Sequence, residues 1–300
     1  MNPARLQGPI QRLEKELGCP VFVMLASSAG EYAVDLDGEA GERLARQLLR
    51  RHREESFAEA ALVIAAHGGQ VRFAETLMRT LEHLEVAFRV VLPGEVSGVG
   101  AMLAIAAEEV VLHPAAGVGA CDRGRCVVER GPWSATLLEH LPQLPESLLG
   151  GEQAAQTLST IAHQLRYRAE VGLCLARRVS ARQISPELVS ATSLEKLGEE
   201  GVAGAAALTR AGARVRLASD ALAGALEALM VRATEVYGLF DTPKARFERS
   251  MDWADEVEFA PAEEVAGALL ASGDMLELYV LDTGSPDPDA PRLHGRWVQG

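Results

Sequence analysis

The sequence predicts an α/β protein built on a mainly parallel sheet, and three observations carry that reading. Short apolar runs alternate with amphipathic helical patterns between residues 20 and 114. Successive runs recur roughly every 30 residues, room for a strand, a helix and two turns, which favours right-handed crossovers between parallel strands. Glycines follow two of the runs, at Gly68-Gly69 and at Gly94, where a strand must hand over to a helix.

Each element follows from local pattern. "PVFVMLAS" (20–27) is apolar without alternation, as a strand covered on both faces should be. Residues 39–53 make a charged helix with Leu44, Leu48 and Leu49 turned inward. "AALVIAA" (60–66) is a second strand ending at His67-Gly68-Gly69, and Phe73, Leu77, Met78, Leu81 and Leu84 then recur at helical spacing. "AFRVVLP" (87–93) is the third strand, the turn at 94–98 feeds a fourth helical pattern, and "EEVVLHP" (108–114) returns to the sheet.

Beyond residue 125 the pattern changes. Gly131, Pro132, Pro142, Pro145, Gly150 and Gly151 mark a loop-rich connector. A long helix follows, with Ala154, Leu158, Ile161, Leu165, Ala169, Leu173 and Ala176 forming its inward stripe. Thr192 and Glu195 form a capping-box pattern opening a short helix that Gly201 closes, and Leu222, Leu226, Leu229, Ala233 and Val236 predict a further helix. Residues 256–284 read as strand, helix, strand, and the Pro/Asp-rich stretch after Ser285 as a mobile tail. The expected division is therefore a main domain over 1–205, a smaller C-terminal α+β appendage over 206–284 and a tail over 285–300.

Composition narrows the function classes. The chain has 300 residues, 48% of them hydrophobic, enough for a full core. A formal charge of −13 leaves no basic surface to displace counterions from nucleic acid or to sit on anionic lipid. The N-terminal stretch lacks the apolar core of a signal peptide and no uncharged apolar run reaches about 18 residues, so a cytoplasmic protein without a membrane partner is expected. Cys121 and Cys126 in "CDRGRC" have no nearby Cys/His pair to complete a tetrahedron, and no basic phosphate site stands out, so neither metal nor cofactor is expected.

Two features carry candidate chemistry, each at the C-terminal end of an expected strand, where parallel sheets bind ligands. Gly68-Gly69 lets the backbone approach a substrate and turn consecutive N–H groups toward an oxyanion, or simply lets the chain turn. In "SGVG" (97–100), Ser97 is either a nucleophile presented on a strand-to-helix bend or an N-cap.

Taken together, "IAAHGGQ" and "EVSGVGAMLAIAAEEVVLHPAAGVGACD" resemble the ClpP/crotonase-like superfamily of serine peptidases, most of all its serine dehydrogenase proteinase branch, related to signal peptide peptidase A. The resemblance implies a spiral of ββα and βα units, a peptide or protein substrate and a homo-oligomer. It also implies a serine nucleophile, with oxyanion donors among Gly68, Gly69, Gly98 and Val99. Laid without gaps from Pro93 to Asp122, however, the family's serine falls on Gly98 and Ser97 falls one place early; an extra residue in the turn would restore Ser97. His67 stands where the family has proline. A base is not identified: the family's histidine position, counted from Ser97, is Asp122, and His67, His113, His140 and His163 are the remaining choices. Three readings follow. They are a serine peptidase using Ser97, a disarmed peptidase-like scaffold for assembly or peptide binding, and a crotonase-like acyl-thioester enzyme.

Overall fold

A computed structural model describes residues 4–27, 34–123, 152–181, 183–198, 201–237, 239, 264–273, 275–282 and 295–299. Its centre is one eight-stranded mixed sheet in the order β5-β4-β3-β2-β1-β6-β7-β8. Strands β1 (Val21–Ala26), β2 (Glu59–Ala65), β3 (Ala87–Leu92), β4 (Glu109–Leu112) and β5 (Val215–Leu217) run parallel. β6 (Glu264–Ser272), β7 (Met275–Asp282) and β8 (Gly295–Gln299) continue the sheet antiparallel from β1. Val23 lies opposite Val63 on one side and Ala271 on the other, so β1 is the strand where the parallel and antiparallel halves meet.

Side-chain alternation divides the core into two layers. Phe22, Met24, Leu62, Ile64, Val90 and Leu92 face one side. There they meet α2 (Gly38–Glu55), α3 (Val71–His83), α4 (Val99–Ala106) and α5 (Glu152–Ser180). Val21, Val23, Leu25, Val63, Val91 and Val111 face the other. They are covered by α1 (Ala4–Leu17), through Leu6, Ile10 and Leu13, and by α9 (Asp220–Tyr237), through Leu222, Leu226 and Leu229. Three short helices, α6 (Pro186–Ala191), α7 (Leu194–Leu197) and α8 (Ala205–Arg210), lead from α5 to β5. Among the described residues no helix is long and apolar enough to cross a membrane.

The expected order of strands and helices from residue 20 to 114 is present, and four readings further on are corrected. Residues 264–282 form a β-hairpin instead of a helix and a strand, turning at Gly273 with φ 57°. "EVAGALLAS" is apolar on both sides because β6 is buried between β1 and β7, and periodicity alone does not separate such a run from a helix. Within the expected mobile tail, residues 295–299 are an edge strand paired to β7; residues 285–294 lie outside the described ones, as does the connector at 131–151. Among the described residues β5, β6 and β7 belong to the one sheet, and α9 packs on it. Thr192 caps the end of α6, not the start of α7, and Gly198 with φ 70°, not Gly201, closes α7. Finally, α5 turns Tyr167, Val171, Cys174 and Leu175 inward, while Leu165, Ala169, Leu173 and Ala176 of the stripe expected inside are exposed.

One polar clamp joins α1 to the rest at the amino-terminal ends of the strands. The Arg51 guanidinium from α2 donates to Glu14 of α1 at 2.5 Å, to Ser272 Oγ of β6 at 3.0 Å and to Glu55 at 3.2 Å. Glu14 also accepts the N–H of Val21, the first residue of β1. Burial is the largest influence and opposes this charge, but the hydrogen bonds and negative charges of Glu14 and Glu55 together outweigh it and hold Arg51 above its ordinary pKa. Replacing Glu14 leaves a nearly buried cation with only the more exposed Glu55 carboxylate against it, so Glu14→Ala is expected to cost about 2–4 kcal/mol. Equilibrium denaturation of the variant against the parent chain measures that loss.

Candidate functional site

The parallel strands β1 to β4 bring their C-terminal ends to one edge of the sheet, and two bends meet there. The first runs from β2 through Ala66, His67, Gly68 and Gly69 into α3, with φ of 85° at Gly68 and 102° at Gly69. The second runs from β3 through Val96, Ser97 and Gly98 into α4. Main-chain hydrogen bonds join them directly: Ser97 N–H donates to Ala66 O at 3.3 Å and Val99 N–H to Gly68 O at 3.1 Å. A third segment, following β4, is bonded along the second bend. Val96 N–H donates to Gly117 O at 3.1 Å, Gly119 N–H to Val96 O at 2.7 Å, and Gly98 N–H to Ala120 O at 2.9 Å.

Gly98 sits at the apex. Its φ of 60° and ψ of −125° form a conformation that side chains resist, and it is the residue immediately before α4. A Cβ there would lie 2.7 Å from Gly68 Cα, 2.9 Å from Gly68 O and 3.0 Å from Arg123 O. The apex is therefore walled by backbone, not open to a side chain.

Ser97 points elsewhere. It is 3% exposed, and its Oγ lies 3.4 Å from His67 Nδ1. That separation exceeds the usual 2.6–3.2 Å reach of a working nucleophile–base pair, although such contacts are often loose without substrate. His67 is half-buried and has a further interaction of its own. Of the expected oxyanion donors, the amides of Gly98 and Val99 are spent on the carbonyls of Ala120 and Gly68. Those of Gly68 and Gly69 meet no hydrogen-bond acceptor among the described residues.

Asp122 has other employment. Its Oδ1 accepts the N–H of Leu194 at 2.7 Å, capping α7 from a distant part of the chain, and its Oδ2 faces Arg168 Nε at 3.5 Å. This explains why Thr192 and Glu195 do not make a capping box: the cap is a carboxylate 72 residues away. His113 is likewise engaged, facing Glu227 at 3.2 Å and accepting the N–H of Ala115. His140 and the side chain of His163 lie outside the described residues.

Sequence reasoning missed the residues beneath the bends. Cys121 donates its S–H to Thr192 Oγ1 at 3.3 Å and its N–H to Thr192 O at 2.8 Å, and Thr192 Oγ1 donates to Leu188 O at 2.9 Å. Tyr167 reaches in from α5 and donates to Cys121 O at 3.4 Å. Burial pushes the Cys121 thiol up to about 12 and raises the Tyr167 phenol, with Cys121, Asp35 and Asp122 adding to the latter. A buried, protonated thiol is a poor nucleophile and a poor metal ligand. Among the described residues no group of His, Cys, Asp and Glu is arranged to hold a metal ion. A tyrosine and a cysteine amid the helical period of α5 were the available signal, since polar-tipped residues buried in a helix face need partners.

No protein-family model matches the chain, and no curated protein matches it in sequence.

Two outcomes follow from the geometry. Gly98→Ala forces both a strained φ and a contact inside 3.0 Å with Gly68, so a loss of about 3 kcal/mol is expected in chemical denaturation. The second concerns pH. Because the folded chain keeps the Cys121 thiol protonated up to about 12 whereas its ordinary value is 9.0, unfolding releases a proton above pH ~9. Stability therefore falls as pH rises through that window, and in a Cys126→Ser background thiol reagents at pH ~8 should modify Cys121 only after denaturation.

Proposed function

We propose that this chain is a peptidase-like scaffold of the ClpP/crotonase-like kind that serves assembly or peptide binding and does not hydrolyse what it holds. One observation carries the reading. The residue at the apex of the strand-to-helix bend, where the gap-free comparison with that superfamily puts the nucleophile, is Gly98, and main chain fills the space its side chain would need. The spent amides of Gly98 and Val99 support the same reading, since a tetrahedral oxyanion needs free donors at its own position. The succession of βα units along β1 to β4, with α2, α3 and α4 on one face, fits the spiral of that superfamily.

The hydrolase reading has its own support in the Ser97–His67 contact and in the Gly68 and Gly69 amides. In that case His67 would take the hydroxyl proton as Ser97 Oγ attacks an acyl carbon, and the glycine amides would receive the oxyanion. A fluorophosphonate probe separates the two. The scaffold reading expects no covalent adduct by intact mass, and identical behaviour of Ser97→Ala. Stoichiometric labelling that disappears in folded Ser97→Ala and His67→Ala variants would overturn it.

A further inference from the structure

His113 stands where β4 hands over to the segment bonded along the second bend, and its two ring nitrogens are committed to different parts of the chain. Nδ1 accepts the N–H of Ala115 at 3.2 Å, inside a turn closed by Ala116 N–H donating to His113 O at 2.8 Å. Nε2 faces Glu227 Oε1 of α9 at 3.2 Å. The first contact fixes the tautomer. A nitrogen that accepts an amide N–H carries no proton of its own, so in the neutral ring the proton sits on Nε2 and is donated to Glu227.

These two contacts respond to a proton in opposite ways. Uptake occurs at Nδ1, because Nε2 already holds a proton, and the new N–H then points at the N–H of Ala115, donor against donor. The same charge strengthens the Nε2 contact, which becomes an ion pair with a carboxylate. We propose that His113 is a proton-operated tie: neutral, it secures the turn after β4; charged, it lets that turn go while Glu227 takes the charge. Histidine is the side chain suited to such an exchange between about pH 5 and pH 8. Two strand ends adjoin it. Leu92 of β3 takes the His113 N–H on its carbonyl at 2.9 Å, β5 ends beside β4 at Leu217 and Ala218, and none of these three side chains titrates. Among the described residues Glu227 is the carboxylate within 4 Å of the ring. The turn matters because of where it leads. Two residues past Ala115, the Gly117 carbonyl receives the Val96 N–H at the entry to the second bend, so letting the turn go weakens the support of that bend.

This inference goes beyond the scaffold reading and does not rest on it; the fluorophosphonate test reads Ser97 and leaves His113 untouched. Nuclear magnetic resonance of the full chain follows the tie directly. At about pH 8 a scalar coupling across the N–H···N contact is expected between Ala115 N and His113 Nδ1, and at about pH 5 it is expected to vanish. Over the same titration the hydrogen-exchange protection of Val96 N–H, corrected for the intrinsic pH dependence of exchange, is expected to fall about fivefold, the factor that one hydrogen bond of ordinary net strength carries. His113→Asn sets an uncharged acceptor near the position of Nδ1. With unchanged far-ultraviolet circular dichroism, this variant is expected to hold the Val96 protection constant across the same range. The first two readouts use the parent chain and need no variant to fold. No coupling to the neutral ring, a coupling that persists once the ring is charged, or Val96 protection that ignores the titration or falls equally in folded His113→Asn would each sink the proposal.

Discussion

The bond from Val99 N–H to Gly68 O is the constraint on which the candidate site depends. Parallel strands deliver their C-terminal ends to one edge whatever their sequence, but they do not by themselves bring two successive bends into main-chain contact. Here β2 and β3 are neighbours, their bends are both rich in glycine, and neither bend has a Cβ at the point of approach. The backbones can therefore hydrogen-bond across the gap. What makes that junction stable also occupies two of the four amides expected as oxyanion donors: the Gly68 carbonyl takes the Val99 amide, the Ala120 carbonyl takes the Gly98 amide, and main chain closes the space over Gly98. Satisfying buried backbone groups and presenting them to a ligand are competing uses of the same donors.

The opposite edge of the sheet is organised by charge instead of backbone. Arg51 spans α2, α1 and β6, and Glu14 carries the same network into the first amide of β1. Further along the antiparallel half, Arg43 donates to Glu277 of β7 at 2.6 Å, Gln47 does so at 3.2 Å, and the Arg43 guanidinium lies 5.5 Å from the Trp297 ring centre on β8. The α2 helix thus reaches past its own parallel neighbours and secures the C-terminal hairpin. The consequence is positional. The antiparallel strands are fastened beside β1, away from the two bends, so they extend the sheet without covering the junction.

Much of this was legible where local pattern and tertiary role agree. The strands at 21–26, 59–65, 87–92 and 109–112 are unalternated apolar runs because each is covered on both faces, and the helices between them carry a single inward stripe. The convergence of Gly68-Gly69 with the Ser97 bend followed from strand order. Legibility ended where a partner came from far along the chain. Asp122 caps α7, Thr192 receives Cys121, and Tyr167 supports the bend after β4, and no local pattern names the partner in any of these pairings. It ended as well where burial on both faces made β6 look like a helix, and where β5, three residues long, had no pattern to show.

The α5 helix shows how a correct period can be assigned to the wrong face. Leu165, Ala169, Leu173 and Ala176 are spaced as a buried stripe, whereas the face actually buried carries Tyr167, Val171, Cys174 and Leu175. The choice between the faces is made by polar partners: Tyr167 has the Cys121 carbonyl to reach, and Arg178 has Glu82. Turning the helix to bury the leucines would strand a phenol in solvent, leave the Cys121 carbonyl without that donor and break two ion pairs to α3. Because Tyr167 ties α5 to the bend after β4, the facing of this helix is set by the same segment that receives the Gly98 amide.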